Sequence, residues 1–435
     1  MNWTEAQAER KLRSLELFGM RFGLDRMRRM MTALGSPERD FEAIHVLGTN
    51  GKSSTTRMTA AILERHGLRT GTYTSPHLVS YRERVLIDGR ELDTESFAAA
   101  IGRASVAAER VNRTLAEDDH VTQFELLTAA ALWEMARRGV DVAVIEAGLG
   151  GRYDATSVIE PRVTVLTNVG LEHTRWLGPT IKDIAEEKLA VVAPNAALVL
   201  GEDLAAPALA VAERIAGERG ARIVRPRASA SSTTELLARG GFQRRNFELA
   251  RAAAEAYLQT RGIALDERAV AQAAAATEVR GRLQLLEGDP PTVLDGAHNP
   301  DAVAALVRSL PEVFDARPPG APLALVLGVL EDKDAAAMLG ELMPLVERAW
   351  FTAPPGSRAL SPAALQSLAR QLGFEATVTE PRPARALEQA RRWAHEHDGA
   401  VLVTGSVYLV GELLGQLERS EDAAPTELTR RSSAR

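Results

Sequence analysis

Ile44-His-Val-Leu-Gly-Thr-Asn-Gly-Lys-Ser-Ser-Thr-Thr56 decides how this chain is read. An apolar run from Ile44 to Leu47 ends at Gly48, and Gly51-Lys52-Ser53 opens a segment of helical periodicity. A strand, a glycine-bearing turn and a helix N-terminus make an anion cradle, because free backbone N–H groups and the positive end of the helix dipole converge on one point. Lys52 adds a positive charge for the β- and γ-phosphates, and the hydroxyl of Ser53 or Ser54 can reach a Mg²⁺. The loop is shorter than the usual phosphate-binding pattern, which wants glycine where Val46 stands. An ordinary glycine turn before a helix is the bland alternative.

Working outward, the 435 residues are too many for one ordinary core, which points to two or three domains. With 45% hydrophobic and 25% charged residues the chain reads as an ordinary globular protein. A formal net charge of −6, with no basic block interleaved with aromatics, argues against a nucleic-acid partner. The absence of cysteine excludes disulfides, thiolate metal sites and cysteine nucleophiles, and fits a cytoplasmic setting. The first residues are charged and amphipathic rather than signal-like, and no apolar run reaches membrane length. Lysine is scarce: Lys11, Lys52, Lys182, Lys188 and Lys333 are the only five.

Residues 3–34 read as helical with a break at Phe18–Leu24. A helix over 53–66 follows the cradle, then a strand over 69–74 and helices over 94–113 and 123–138. Val140–Ile145 is nearly all apolar, the mark of a strand buried on both faces, and it ends in Glu146. Another strand, 163–166, leads to TNVGLEHTRWLG, and Thr180 begins the helix that carries Lys188. Helices dominate 243–277. The alternation restarts beyond 285, with strands near 292–295, 323–327, 348–352, 375–379 and 400–404. The expected fold is therefore α/β: an N-terminal P-loop ATPase domain over 1–285 with a mostly parallel sheet, and a smaller C-terminal Rossmann-like α/β domain over 286–417. The polar stretch 418–435 reads as a disordered tail.

Ligands of open parallel sheets bind beyond the carboxyl ends of the strands. Four such ends carry polar groups: Gly48–Ser53, Ser75-Pro76-His77, Glu146 and Asn168–His173. Parallel pairing would gather them on one rim. Glu146 follows an apolar run, so its charge needs a nearby cation, either Mg²⁺ or an arginine. Ser75 and His173 could complete a ligand set, while His77 reads as structural. GLGGR (148–152) is a second glycine-rich turn, with Arg152 or Asp154 able to contact a ligand. Lys188, after Glu186 and Glu187, reads on its own as part of a solvated face. In DGAHNP (295–300) an Asn299 N-cap and Pro300 at the first helical position explain two residues but leave Asp295 and His298 to face a cleft. Two functions stand open on these grounds: an ATP-dependent enzyme, or a P-loop binding or switch protein. The N-K-x-D motif of GTP switches is absent.

GTNGKSS, TSPHLVSYRERV, VIEAGLGGRYDAT, EHTRWLGPT, AEEKLAVV and DGAHNP, in this order, resemble the folylpolyglutamate synthases and dihydrofolate synthases of the Mur ligase superfamily. The likeness spans about Phe22 to Gly411. It implies a ligase that joins L-glutamate to a folate or dihydropteroate carboxylate with ATP and Mg²⁺; a monomer is expected. By that resemblance Asn50, Gly51, Lys52, Ser53 and Ser54 hold the ATP phosphates, and Asn246, Arg282, Asp295 and His298 are further nucleotide contacts. Ser75, Glu146 and His173 resemble the Mg²⁺ ligands. Lys52, His173 and Lys188 are implied in catalysis, with Lys188 resembling a lysine that the family carries as a carbamate. The pterin-bearing substrate is expected near Gly23 and Arg26, near Thr122, Gln123, Phe124 and Glu125, and near Tyr153, Asp154 and Ala155. Three departures stand out: Ser53 where the family usually has glycine, Glu172 where aspartate is common, and FGLDR (22–26) where the family often has a Leu-Gly-Leu-Glu-Arg-like run. A Mur ligase adding an amino acid to a UDP-linked cell-wall precursor is the alternative. Such enzymes normally carry an extra N-terminal domain, for which the stretch before Gly48 is too short.

Overall fold

The computed structural model describes residues 3–15, 23–226, 235–314 and 320–423, with side chains as far as Arg419. The chain divides into two compact units, Met1–Val279 and Arg280–Arg435.

In the first unit the elements run α1 (Glu5–Leu15), α2 (Asp25–Leu34), β1 (Glu42–Leu47), α3 (Lys52–Arg65), β2 (Thr70–Tyr73), β3 (Val85–Ile87), β4 (Arg90–Glu91), α4 (Thr94–Asn112) and α5 (Gln123–Arg137). They continue with β5 (Val142–Glu146), β6 (Pro161–Leu166), α6 (Thr174–Leu177), α7 (Ile181–Leu189), β7 (Ala197–Leu200), α8 (Ala206–Arg219), β8 (Arg222–Val224), α9 (Gly241–Thr260) and α10 (Glu267–Ala276). The sheet order is β4-β3-β2-β5-β1-β6-β7-β8. Strands β2 through β8 of that row pair in parallel, and β3 and β4 add an antiparallel edge. The hairpin at 85–91 was not foreseen: its strands are three and two residues long, too short to show a period.

Alternation along the strands sorts the core. Ala43, Tyr73, Ala143 and Ile145 pack with α1, α2, α4 and α5 on one face. Ile44, Val46, Val142, Val144, Val163 and Val165 pack with α3, α9 and α10 on the other. Near the carboxyl end Leu47, Leu166, Leu198 and Leu200 meet α7 and α8. Because β1 is covered on both sides, its register with its neighbours is fixed, since a one-residue slip would turn every side chain to the wrong layer. That register sets Val46 opposite Glu146, Leu47 opposite Leu166, and Tyr73 opposite Ile145. The carboxyl ends of β1, β2, β5 and β6 therefore finish level, as the sequence reading required.

The second unit contains β9 (Gln284–Leu286), β10 (Thr292–Leu294), α11 (Pro300–Val313), β11 (Leu323–Leu327), α12 (Ala335–Leu342), β12 (Arg348–Phe351), α13 (Pro362–Gln371), β13 (Thr377–Thr379), α14 (Pro383–Glu396), β14 (Ala400–Thr404) and α15 (Val407–Ala423). Its order, β13-β12-β11-β14-β10-β9, is parallel except for β9. The boundary expected after residue 285 falls inside β9, which pairs antiparallel with β10 and belongs to this unit. The tail expected from 418 is corrected likewise: α15 continues to Ala423, and 424–435 lie outside the described residues. Part of the break expected at Phe18–Leu24 also lies outside them.

Asn299 caps α11 as expected, its Oδ1 accepting from the N–H of Ala302 at 2.9 Å, with Pro300 opening the helix. Replacing Asn299 by Ala should lower the stability of the second unit by about 1 kcal/mol, and Asn299→Asp should restore most of it. Denaturant melts that leave Asn299→Ala unchanged would refute the cap.

Candidate active site

Gly51 occupies the left-handed region (φ +83°) as the residue before α3, a conformation that brings the chain from β1 round to the helix start. A Cβ there would stand 2.4 Å from Oδ1 of Asn246 on α9, so the loop and Asn246 meet only because residue 51 is glycine. Asn246 itself donates to Gln243 Oε1 at 3.0 Å. The other side of the loop is held by the chain after β6. Asn168 Oδ1 accepts from the N–H groups of Asn50 (2.8 Å) and Thr49 (3.2 Å), Thr167 Oγ1 donates to the Asn50 carbonyl (2.6 Å), and the N–H of Gly170 donates to Thr49 Oγ1 (2.9 Å).

Lys52 opens α3, and its Nζ donates to the Thr49 carbonyl at 2.9 Å. One residue on, Ser53 Oγ lies 2.9 and 2.8 Å from the two oxygens of Glu146. The same carboxylate accepts from the N–H of Ser75 at 3.0 Å. Three strand ends thus meet at one buried carboxylate, which is 1% exposed. Ser54 is buried on the core side of α3, so of the two loop hydroxyls it is Ser53 that reaches Glu146. Mg²⁺ takes oxygen ligands and commonly one or two carboxylates together with water and phosphate oxygens. A buried carboxylate that meets the Ser53 hydroxyl beside the glycine loop fits that demand, although no group of three or more His, Asp and Glu residues suited to a metal occurs among the described residues. His173, also expected there, sits before α6 in the left-handed region (φ 54°), half-buried, with Nε2 3.8 Å from Glu172 Oε1.

Lys188 does not lie on a solvated face. It is 2% exposed and donates to the carbonyls of Gly48 at 3.1 Å and Leu149 at 2.8 Å. Burial first, and the nearby charge of Lys52 second, pull its pKa down to about 7, while Glu172, Asp154 and Glu187 pull the other way. The turn that offers the Leu149 carbonyl is organised by Asp154. Its Oδ2 accepts from the N–H groups of Leu149 (2.8 Å) and Gly150 (2.9 Å), and its Oδ1 from the N–H (3.0 Å) and hydroxyl (2.6 Å) of Thr156.

The residues expected around a pterin divide by environment. Arg26 and Glu125, both buried, are committed to each other through Nε at 3.0 and 3.1 Å, and Arg26 also reaches Asp119 at 2.9 Å. Thr122 caps α5 in a box with Glu125. Gln123 donates to the Leu12 carbonyl and to Tyr81 Oη. Phe124 lies against Gly148, Gly23 precedes α2, Ala155 is buried and Tyr153 is 46% exposed. His77, read as structural, accepts from Arg84 through Nδ1 at 3.0 Å and is driven to a pKa of about 3 by burial and then by Arg84. In the second unit Asp295 is buried and accepts from the N–H groups of Leu283 and Ala297, both at 2.7 Å. Burial raises its pKa against the pull of Arg282. His298 bonds the Gly296 carbonyl through Nδ1 at 2.9 Å, and Arg282 lies over Gly296. The sequence reading set Thr49 and Asn168 on the rim but missed Thr167 and the clamp the three make on the loop. Its one signal was the polar TN directly after an apolar strand.

Residues 46–214 match the Mur ligase middle domain, and residues 281–407 the glutamate ligase domain of Mur ligases. The folylpolyglutamate synthase of Lacticaseibacillus casei is 34% identical over 408 residues, covering 88% of this chain and 92% of that protein. A probable bifunctional folylpolyglutamate synthase/dihydropteroate synthase of Haloferax volcanii is 36% identical over 424 residues, or 92% of this chain; the chain spans about half of its length, 49%. Among solved structures, folylpolyglutamate synthase of Mycobacterium tuberculosis with ADP and AMPPCP has a TM-score of 0.86 at 30% identity, over 97% of this chain and 99% of that one. The bifunctional folylpolyglutamate synthase/dihydrofolate synthase of Yersinia pestis with AMPPNP and a manganese ion gives 0.81 at 28% identity, over 95% and 98%.

The buried amine makes a prediction independent of any ligand. Unfolded, Lys188 keeps its proton up to the ordinary lysine value; folded, it loses it near 7. The unfolded state therefore binds more protons between those values, and stability contributed at this position rises with pH across that window. Relative to Lys188→Met in CO₂-free buffer, the wild type should gain up to about 1.4 kcal/mol per pH unit above pH 7. Parallel pH–stability curves for the two proteins would contradict the assignment.

Proposed function

This chain belongs to the folylpolyglutamate synthase/dihydrofolate synthase family of Mur-type ligases, and we propose that it joins L-glutamate to the carboxylate of a folate or of dihydropteroate at the expense of ATP. The observation that carries the reading is the meeting of the Ser53 hydroxyl and the Ser75 amide at the Glu146 carboxylate, on the residue that follows Lys52 at the start of α3. An acceptor carboxylate oxygen attacks the γ-phosphorus, the bond from phosphorus to the ADP oxygen breaks, and an acyl phosphate forms. The amino nitrogen of glutamate then attacks the acyl carbon, the carbon–oxygen bond to phosphate breaks, a proton leaves the nitrogen and inorganic phosphate departs.

Two anions meet in the first step, so the chain must offset their repulsion. Lys52 does so from the start of α3, where loop N–H groups and the helix dipole act in the same direction. Ser53, Ser75 and Glu146, with His173 as a proposed nitrogen ligand, would hold Mg²⁺, which supplies charge neutralisation at the phosphoryl oxygens when bound. Asn50, Gly51, Ser54 and Asn246 are assigned to the nucleotide, as are Arg282, Asp295 and His298 of the second unit. Gly23, Arg26, Thr122, Gln123, Phe124, Glu125, Tyr153, Asp154 and Ala155 are assigned to the pterin side. A monomeric, cytoplasmic enzyme is part of the same reading, supported by both ligase regions lying in one cysteine-free chain.

Lys188 is assigned as a carbamate. Its depressed pKa leaves much of the amine uncharged near neutrality, so its lone pair can attack CO₂, forming the N–C bond and releasing a proton. The product is an anion where a cation stood, close to Lys52.

Purified protein with ATP, Mg²⁺ and L-glutamate, offered dihydropteroate or tetrahydrofolate in separate reactions, should give a product heavier by one glutamyl residue in at least one of them. Lys52→Ala and Glu146→Gln should each lower turnover by about 100-fold or more, the scale for removing a charge-stabilising contact. Near wild-type turnover in Lys52→Ala removes the phosphate-loop assignment, and unaltered Mg²⁺ dependence in Glu146→Gln removes the metal assignment. ¹³C-bicarbonate should give a carbamate signal that Lys188→Met lacks; the same signal in both proteins places the modification elsewhere.

A further inference from the structure

One buried polar group beneath the site has no part in the chemistry above. His45 lies in the middle of β1, wholly buried, paired across to Ile145 and Thr164. Its Nε2 is 2.8 Å from Thr156 Oγ1, and its Nδ1 is buried with no hydrogen-bond partner. The pKa of the imidazole is lowered to about 4, by burial above all, so the ring is neutral. A bare ring nitrogen inside a protein costs about 1–3 kcal/mol, and an apolar side chain at this position would avoid that cost.

The proton inventory shows what the ring does there. A threonine hydroxyl has one hydrogen, and Thr156 donates it to Asp154 Oδ1 at 2.6 Å. The imidazole must then be the donor on Nε2, which leaves Nδ1 as the bare nitrogen. The polarity of the chain is thereby fixed: His45 donates to Thr156, and Thr156 donates to Asp154. The far oxygen of Asp154 holds the Leu149 and Gly150 amides, and the Leu149 carbonyl accepts from Lys188. Lys188 also donates to Gly48, three residues beyond His45 on the same stretch. The hydrogen bonds form a ring that starts on β1, passes under the glycine turn, and returns to the phosphate loop.

We infer that His45 and Thr156 are positioning residues for the phosphoryl-transfer site, setting the 148–151 turn, and through it the Lys188 side chain, against the start of the phosphate loop. The inference rests on the reading of Lys188 as a working group. Without the hydroxyl hydrogen, Asp154 Oδ1 loses its shortest contact and the carboxylate is free to rotate off the two turn amides. Lys188 then loses a defined acceptor while Lys52 and the metal-side groups keep theirs.

The experiment compares His45→Leu and Thr156→Val, which remove the donor, with His45→Gln and Thr156→Ser, which keep one. Two readouts are needed. The first uses ¹³C-lysine-labelled protein without substrates; five lysines give five resolvable positions. The Lys188 signal should move in His45→Leu and Thr156→Val, return towards its wild-type position in His45→Gln and Thr156→Ser, and the Lys52 signal should stay. The second is turnover: the donor-deleting variants should lose about 10- to 100-fold in kcat, the scale of lost outer-shell support, with KM for ATP little changed. The double variant His45→Leu/Thr156→Val should lose no more than either single one, because both cut the same relay.

An unmoved Lys188 signal in Thr156→Val overturns the inference, and so does a His45→Gln protein as impaired as His45→Leu, which would make the ring a packing element. Thr156→Val is nearly isosteric, so the test survives if His45→Leu fails to fold. A moved Lys188 signal in a protein whose wild type ligates nothing would sink the functional reading and leave the positioning relay standing.

Discussion

A carboxylate taken out of water must be answered by something, and at Glu146 the answer organises the first unit. The side chain stands at the end of β5 with about 1% of its surface exposed, where an uncompensated charge would cost several kcal/mol. Its partners come from two other strand ends, Ser53 after β1 and the Ser75 amide after β2. Those partners arrive only because β1, β2 and β5 pair in parallel and in register. The register in turn depends on the two apolar layers that sandwich β1. Packing, pairing and site geometry are therefore one constraint seen at three scales. A slip of β1 by one residue would bury the wrong faces and pull Ser53 from Glu146 together.

Much of this was legible because the relevant signals are local. The apolar runs ending in Gly48, Glu146 and Thr167 announce strands that stop at polar groups, and parallel pairing follows from the helices between them. Asn299 and Pro300 are legible for the same reason, since a cap is read within four residues. Lys188 shows the limit of that locality. Preceded by two glutamates, it has the neighbourhood of a surface lysine, and only the family likeness lifted it out; its burial comes from Gly48 and Leu149, 140 and 39 residues away. The ion pair of Arg26 with Glu125, 99 residues apart, is likewise invisible in the sequence, since nothing local announces that the two side chains meet. The antiparallel edge at 85–91 is missed for a different reason, its strands being shorter than the period they would have to display.

The arrangement of positive charge says what the rim is for. Lys52 and Lys188 both present ammonium groups to the carbonyls that flank the phosphate loop, Thr49 for one and Gly48 for the other. The two repel, and that repulsion is the second-largest cause of the fall in the Lys188 pKa after burial. A fold with no use for an anion would separate them or put a carboxylate between them. Here Glu172, Asp154 and Glu187 offset part of that charge at Lys188, while Glu146 is held by Ser53 and Ser75, and Asp154 also by the turn amides and Thr156. Two remedies remain for the excess: a ligand that brings negative charge, or conversion of the buried amine into an anion. In the function proposed above, phosphate oxygens at Lys52 would be the first and the proposed carbamate at Lys188 the second. In the proposed reaction a carboxylate is brought up to a triphosphate, and a cation at the start of α3 is placed to offset the repulsion between the two anions.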